Sequence, residues 1–190
     1  MLDSLEPPHV ESGKKNVGSP TITREPNMTA LTTDELIAWV NETSARWQAH
    51  LAAHPQVLDL PCDIREGATV RDLLHHIVVV ELRYAERLND LPITPYEQIA
   101  KDSVDGLFEM HTRTMTLLRQ AIAKPNTNWD EDLEFPTRRA GTLKARRRTI
   151  VVHMLMHSIR HYAQLGTIAR HGGAAPDWFG DYLLMDLIRT

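Results

Sequence analysis

His153-Met154-Leu155-Met156-His157-Ser158-Ile159-Arg160-His161-Tyr162-Ala163-Gln164-Leu165 places three histidines at intervals of four inside an apolar run. At about 100° per residue, positions four apart are neighbours on one helical face, so His153, His157, His161 and then Gln164 form a polar stripe. The same arithmetic brings Ile150, Met154, His157, His161, Leu165 and Ile168 within about 40° of a common direction, the face a packed helix buries. Two of the imidazoles are therefore expected in a core.

A buried neutral imidazole must satisfy two ring nitrogens, and clustered imidazoles cannot all donate to one another. A divalent cation resolves that conflict, and His-x-x-x-His on a helix aims both rings at one point above its surface. The pair alone is equally consistent with ordinary helix histidines satisfied by carboxylates, carbonyls or water. His153 and His161 lie about 12 Å apart along the axis, too far to share one ion. His153 is accordingly expected to line a pocket or to be a satisfied polar residue.

Length and composition narrow the classes. At 190 residues with 42% hydrophobic and 24% charged residues, the chain is expected to form one soluble domain. A formal net charge of −4 gives no reason to expect nucleic acid as a partner. Cys62 is the single cysteine, which rules out an intrachain disulfide. No apolar run reaches the length of a membrane span and no signal-peptide pattern opens the chain, so no membrane association and a cytoplasmic location are expected. Residues 1–27, rich in proline and glycine, read as a flexible tail, with Met28 as an alternative start and 28–190 as the folded domain.

Four helices are expected. Thr32 and Glu35 form a capping box ahead of Leu36, Val40, Thr43, Trp47 and Leu51, and Pro55 ends that helix. Thr69 and Asp72 open the second, whose apolar stripe comprises Val70, Leu73, Leu74, Ile77, Val80, Tyr84 and Leu88. On this helix His76 flanks the stripe, whereas His75 projects about 160° away from its centre. Asp72 is better explained by the helix dipole than as an orienter of His76. A third helix is expected from about Tyr96, with an interruption near Gly106, to Lys124-Pro125, and His111 on it reads as surface or satisfied core. Residues 126–141 read as irregular, with a short extended piece around Leu133-Glu134-Phe135. The basic run Arg138, Arg139, Lys144, Arg146, Arg147, Arg148 reads first as a solvated face, and otherwise as an anion-selecting rim. The fourth helix is expected to start between Thr142 and Thr149 and to end at Gly172-Gly173, with His171 favoured by its dipole. The apolar segment Trp178–Met185 is expected to pack on the bundle or on a second subunit.

The fold class is thus all-α, a four-helix bundle with a long connection between helices three and four and a short C-terminal helical segment. His76 on helix two with His157 and His161 on helix four would make a three-histidine site. Leu73-Leu74-His75-His76-Ile77 together with His157-Ser158-Ile159-Arg160-His161-Tyr162-Ala163-Gln164-Leu165 resembles the DinB/YfiT-like family of metal-binding four-helix bundles. The resemblance covers about Thr32 to the C-terminus. It implies His76, His157 and His161 as ligands of one divalent metal ion, zinc or nickel foremost, with Gln164 nearby. Where family members often carry a His-Arg-Gly-Gln-like run, this chain has His161-Tyr162-Ala163-Gln164. Mycothiol-dependent isomerases of the family can use a carboxylate in place of one helix-four histidine. Both positions are histidine here, which places the chain nearer the three-histidine branch.

Three imidazoles leave an ion its charge and an open position, the pattern of a catalytic site. Two chemistries follow: hydrolysis by an acidified water, or attack by a low-molecular-weight thiol on an electrophilic small molecule. Hydrolysis needs a carboxylate base, and Asp72, Glu81 and Glu86 are the candidates, with Glu81 on the inward side. Helix four offers none, which favours thiol transfer, with Glu81 and Gln164 as secondary catalytic candidates and Arg138, Arg139 and Arg160 to bind a carboxylated cofactor. A non-catalytic, metal-binding homodimer and a metal-dependent hydrolase are the alternatives.

Overall fold

The structure, a computed structural model, describes residues 31–64, 67–137 and 140–184. The expected tail at 1–27, the boundary drawn at 28, Arg138, Arg139 and Met185 lie outside these residues. Helix α1 spans Thr33–Ala53, α2 Val70–Leu88, α3 Val104–Ala123 and α4 Arg147–His171. Strands β1, Asp132–Pro136, and β2, Thr142–Arg146, form a small sheet between α3 and α4 in sequence.

The helix starts follow from local chemistry. Both expected capping boxes form, Thr32 with Glu35 and Thr69 with Asp72, each satisfying backbone N–H groups that the first turn leaves unpaired. Helix α3 begins later than its apolar pattern suggested: Tyr96–Gln98 is an isolated 3-10 turn, and the Ser103 hydroxyl caps the helix by accepting from the Gly106 N–H at 3.0 Å. Gly106 therefore lies in the capped first turn and interrupts nothing. Such a cap is worth about 1 kcal/mol, enough to set the start.

Helix α2 packs against both α3 and α4, while α1 also packs against those two. This arrangement buries Val78 and Val79 of α2 along with the expected Leu73, Leu74 and Ile77. Val80 and Tyr84, expected in the buried stripe, are only half-buried because they face a cleft described below. At the C-terminus, Trp178 meets Trp47 edge-on at 5.6 Å and Trp39 donates its indole N–H to the Gly180 carbonyl at 3.0 Å. The segment thus folds back on α1 of its own chain.

The connection between α3 and α4 adds a two-stranded hairpin to the four helices and takes in the short extended piece expected around Leu133-Glu134-Phe135. Its two strands pair antiparallel, with Asp132 opposite Arg146 and Phe135 opposite Leu143. Opposite charges align across the hairpin: Lys144 reaches Asp132 at 3.5 Å, Arg146 and Arg148 reach Asp130 at 3.6 and 2.9 Å, and Arg147 bonds Glu131 at 2.7 Å. These basic residues pair with the acidic run 130–132. Gly141, at φ +68°, takes a left-handed turn position that side chains disfavour.

One polar network crosses the helices. Glu81 is fully buried, accepts from His111 Nδ1 at 2.7 Å and from the Ser158 hydroxyl at 2.6 Å, and His111 Nε2 lies 3.2 Å from Asn41 Oδ1. His111 is therefore a satisfied core residue. Burial works against its charged form, but the adjacent Glu81 carboxylate outweighs it and raises the His111 pKa above the ordinary imidazole value. No described helix is long and apolar enough to cross a membrane.

Replacing His111 by Phe leaves Glu81 as a buried charge without a cation, with an expected loss of about 3–5 kcal/mol in urea unfolding. The folded-state pKa is raised, so the stabilisation is complete below about pH 6.5 and fades as pH rises through the folded value. Wild-type stability should therefore fall as pH rises above about 6.5 and through the folded value, and His111→Phe should abolish that slope.

Candidate metal centre

His76, on the second turn of α2, and His157 and His161, one turn apart on α4, are all buried. Because α2 and α4 pack directly, the rings meet: His76 Nε2 lies 3.2 Å and His161 Nε2 3.1 Å from His157 Nε2. One ligand atom from each of the three lies within 4.8 Å of the others, a group placed to hold a metal ion. Nitrogens about 2.0–2.1 Å from a tetrahedral ion stand about 3.3 Å apart, so little adjustment separates this cluster from a coordination shell.

The donor chemistry supports the same conclusion. His161 Nδ1 donates to Gln164 Oε1 at 2.6 Å, so its proton is on Nδ1 and its Nε2 presents a lone pair. His157 Nδ1 is buried and has no hydrogen-bond partner among the described residues. If His157 carries its proton on Nε2 to donate to a neighbouring ring, Nδ1 is an acceptor without a donor. With the proton on Nδ1 instead, the His157 Nε2 lone pair faces the Nε2 atoms of His76 and His161. Burial first, then the neighbouring His161, His76, His153 and Arg160, push the His157 pKa down to about 2. The ring is neutral at any physiological pH and available as a ligand.

Other candidates separate clearly. His153 packs edge-on against Tyr84 at 5.5 Å and lines the neighbouring cleft outside the three-imidazole group, as the spacing argument expected. His75 departs from expectation: it is buried, with its Nε2 2.8 Å from the Ile99 carbonyl and its ring edge-on to Tyr96 at 4.9 Å. Residues 96–99 cover that side of α2, an event invisible to single-helix geometry. Gln164 orients His161. Glu81 is held by His111 and Ser158, and Glu86 accepts from both the N–H and hydroxyl of Thr94. Asp72 caps α2 and pairs with Lys101, which pulls its pKa below the usual carboxylate range. All three proposed carboxylate bases thus have structural duties.

Arg160, on the α4 turn between the two ligands, donates from Nη2 to His161 Nε2 at 3.1 Å. It shares the lone pair a metal would take, so an ion and this contact are mutually exclusive. A cleft of about 280 Å³ opens beside His76 and His157, walled by Val80, Tyr84, Phe135 and Pro136. Arg83, Arg87 and Arg160 also line it, and no carboxylate does among the described residues. Arg83 and Arg87 were missed in the sequence, although a signal existed. They follow His76 by seven and eleven residues, which places both within about 20° of its direction on α2.

The model of the DinB family matches residues 26–187. No curated protein matches the chain.

His76→Ala, His157→Ala and His161→Ala should each abolish stoichiometric metal in elemental analysis, whereas His153→Ala should retain it. Gln164→Ala should keep the site but weaken metal affinity by about 10–100-fold in a chelator competition, as loss of an orienting partner does. Metal retained in all three histidine variants would overturn the assignment. In metal-free protein, the depressed His157 pKa means its stability contribution is intact above about pH 6.5. It is lost below that value, at up to about 1.4 kcal/mol per pH unit. Acid titration of His157→Phe should show a shallower decline.

Proposed function

The chain belongs to the DinB family, and on that footing we propose that it is a cytoplasmic, metal-dependent transferase joining a low-molecular-weight thiol to an electrophilic small molecule. His76, His157 and His161 are the proposed ligands on a DinB-type four-helix bundle, and zinc or nickel suits three imidazoles. A divalent ion held there supplies Lewis acidity that lowers the pKa of a thiol reaching it. The observation that carries this reading is the meeting of three buried imidazoles with a cleft lined by no described carboxylate.

The residues divide the work. Gln164 keeps the His161 proton on Nδ1, so that Nε2 faces the group. Burial keeps His157 neutral, which preserves its lone pair against protonation. Apolar walls from Val80 and Phe135 limit water beside the imidazoles. Arg160, at the mouth of the group, supplies positive charge toward an anionic reactant. The hydrolase alternative needs a base, and Glu81 is buried and already held by two donors. The non-catalytic alternative, an ion that merely ties α2 to α4 within a homodimer, gives no role to an open cleft at the ligands.

Metal-loaded protein should accelerate transfer from at least one of a panel of biological thiols to a chromogenic electrophile. The rate should fall to background in the combined His76→Ala, His157→Ala, His161→Ala variant. Equal rates for the two proteins with every thiol would overturn transferase function.

A further inference from the structure

Three guanidinium groups enter one cleft, and none has a carboxylate partner among the described residues. Arg46, Arg146, Arg147 and Arg148, by contrast, are each paired to an acid. Arg87 lies over the Phe135 ring at 4.8 Å and bonds the Arg83 carbonyl at 3.5 Å, so its side chain is held in place. Phe135 in turn meets Tyr84 edge-on at 5.8 Å, giving the cleft an aromatic wall directly beside the charge.

We propose that Arg83 and Arg87 form an anion-binding subsite, with Arg160 adding positive charge at the imidazole end of the same cleft. It seats the carboxylate of a small molecule whose apolar or aromatic body lies against Tyr84 and Phe135, with its other end toward His76 and His157. This rests on the transferase reading and names the chemical class of its substrate. Along the α2 axis Arg83 stands about 10 Å and Arg87 about 16 Å beyond His76, which sets the carboxylate away from the imidazoles rather than on them. Arg160 is on the imidazole side, bonded to His161. Once an ion takes that lone pair, the guanidinium is released to the cleft, so metal and anion binding reinforce each other. Burial and the neighbouring Arg83 lower the Arg87 pKa, which marks a cation that an incoming anion would relieve. Planar bidentate pairing suits carboxylate, and a neutral amide of the same shape lacks the charge that draws it in.

The test is calorimetric titration of zinc-loaded, full-length protein with phenylpropionate and with its uncharged amide, phenylpropionamide. The carboxylate should bind and the amide should bind at least about tenfold more weakly. Arg83→Gln and Arg87→Gln should each reduce carboxylate affinity by about tenfold or more, with metal content unchanged. Arg146→Gln, which breaks only a hairpin ion pair, should leave the affinity as it is. Should Arg87→Gln fail to fold, Arg83→Gln decides alone. Mercaptopropionate in parallel separates the sources of the carboxylate. A larger loss for it than for phenylpropionate assigns the subsite to the thiol, and the reverse assigns it to the electrophile. No binding of either carboxylate at millimolar concentration, equal affinity for acid and amide, or affinity indifferent to both arginine variants would overturn the subsite. Elemental analysis of the same samples keeps the two readings apart. Carboxylate binding that depends on Arg83 in protein unable to hold zinc would sink the transferase and spare the anion site.

Discussion

The Glu81 carboxylate accepts from His111 on α3 and from Ser158 on α4, with no exposure to solvent. A charge in that position is tolerated only if its partners are in place, so the pair of bonds fixes how α2, α3 and α4 sit against one another. Ser158 adjoins His157, and Glu81 follows His76 by little more than one turn. A slip of α4 by one residue along α2 would break the Ser158 bond and also carry His157 away from His76. The same register therefore serves the polar network and the three-imidazole group, which ties formation of the site to formation of the core.

Burial then shapes the chemistry. Packing α2 between α3 and α4 drives His157 far from its ordinary pKa and keeps its lone pair available, while the acids that might act beside it are consumed elsewhere. Asp72 caps a helix, Glu86 ties down Thr94, and Glu81 holds the register. No described carboxylate faces the cleft, which is lined by basic, aromatic and apolar residues together with Thr137.

The hairpin completes the site from outside the helices. Its acidic and basic runs neutralise one another along the ladder, and this leaves Phe135, the buried residue of β1, to close the cleft over Tyr84 and Arg87. Charge pairing at the rim thus serves to place an apolar wall. Arg147 extends that anchoring by reaching the Leu88 carbonyl and Asp90 at the end of α2 from the first turn of α4.

Much of this was legible in the chain itself, for physical reasons that act locally. Capping boxes at Thr32 and Thr69 and the four-residue histidine interval depend only on neighbours within one turn, and they gave the helix starts and one face of the site. His76 as the partner of His157 and His161 was readable because it flanks a clear apolar stripe. Other features had no local signature. His75 looked exposed because its cover comes from residues 96–99, more than twenty positions away, and the strand pairing of 132–136 with 142–146 depends on charges aligning across a turn. Glu81 looked like a catalytic base because helical projection tells which way a side chain points but not what it meets. The sequence by itself determined which residues share a helical face. Only the tertiary structure decided which faces meet, since that depends on the packing of distant segments, and with it whether each buried charge or imidazole finds a hydrogen-bond partner, a neighbouring ring or an open cleft.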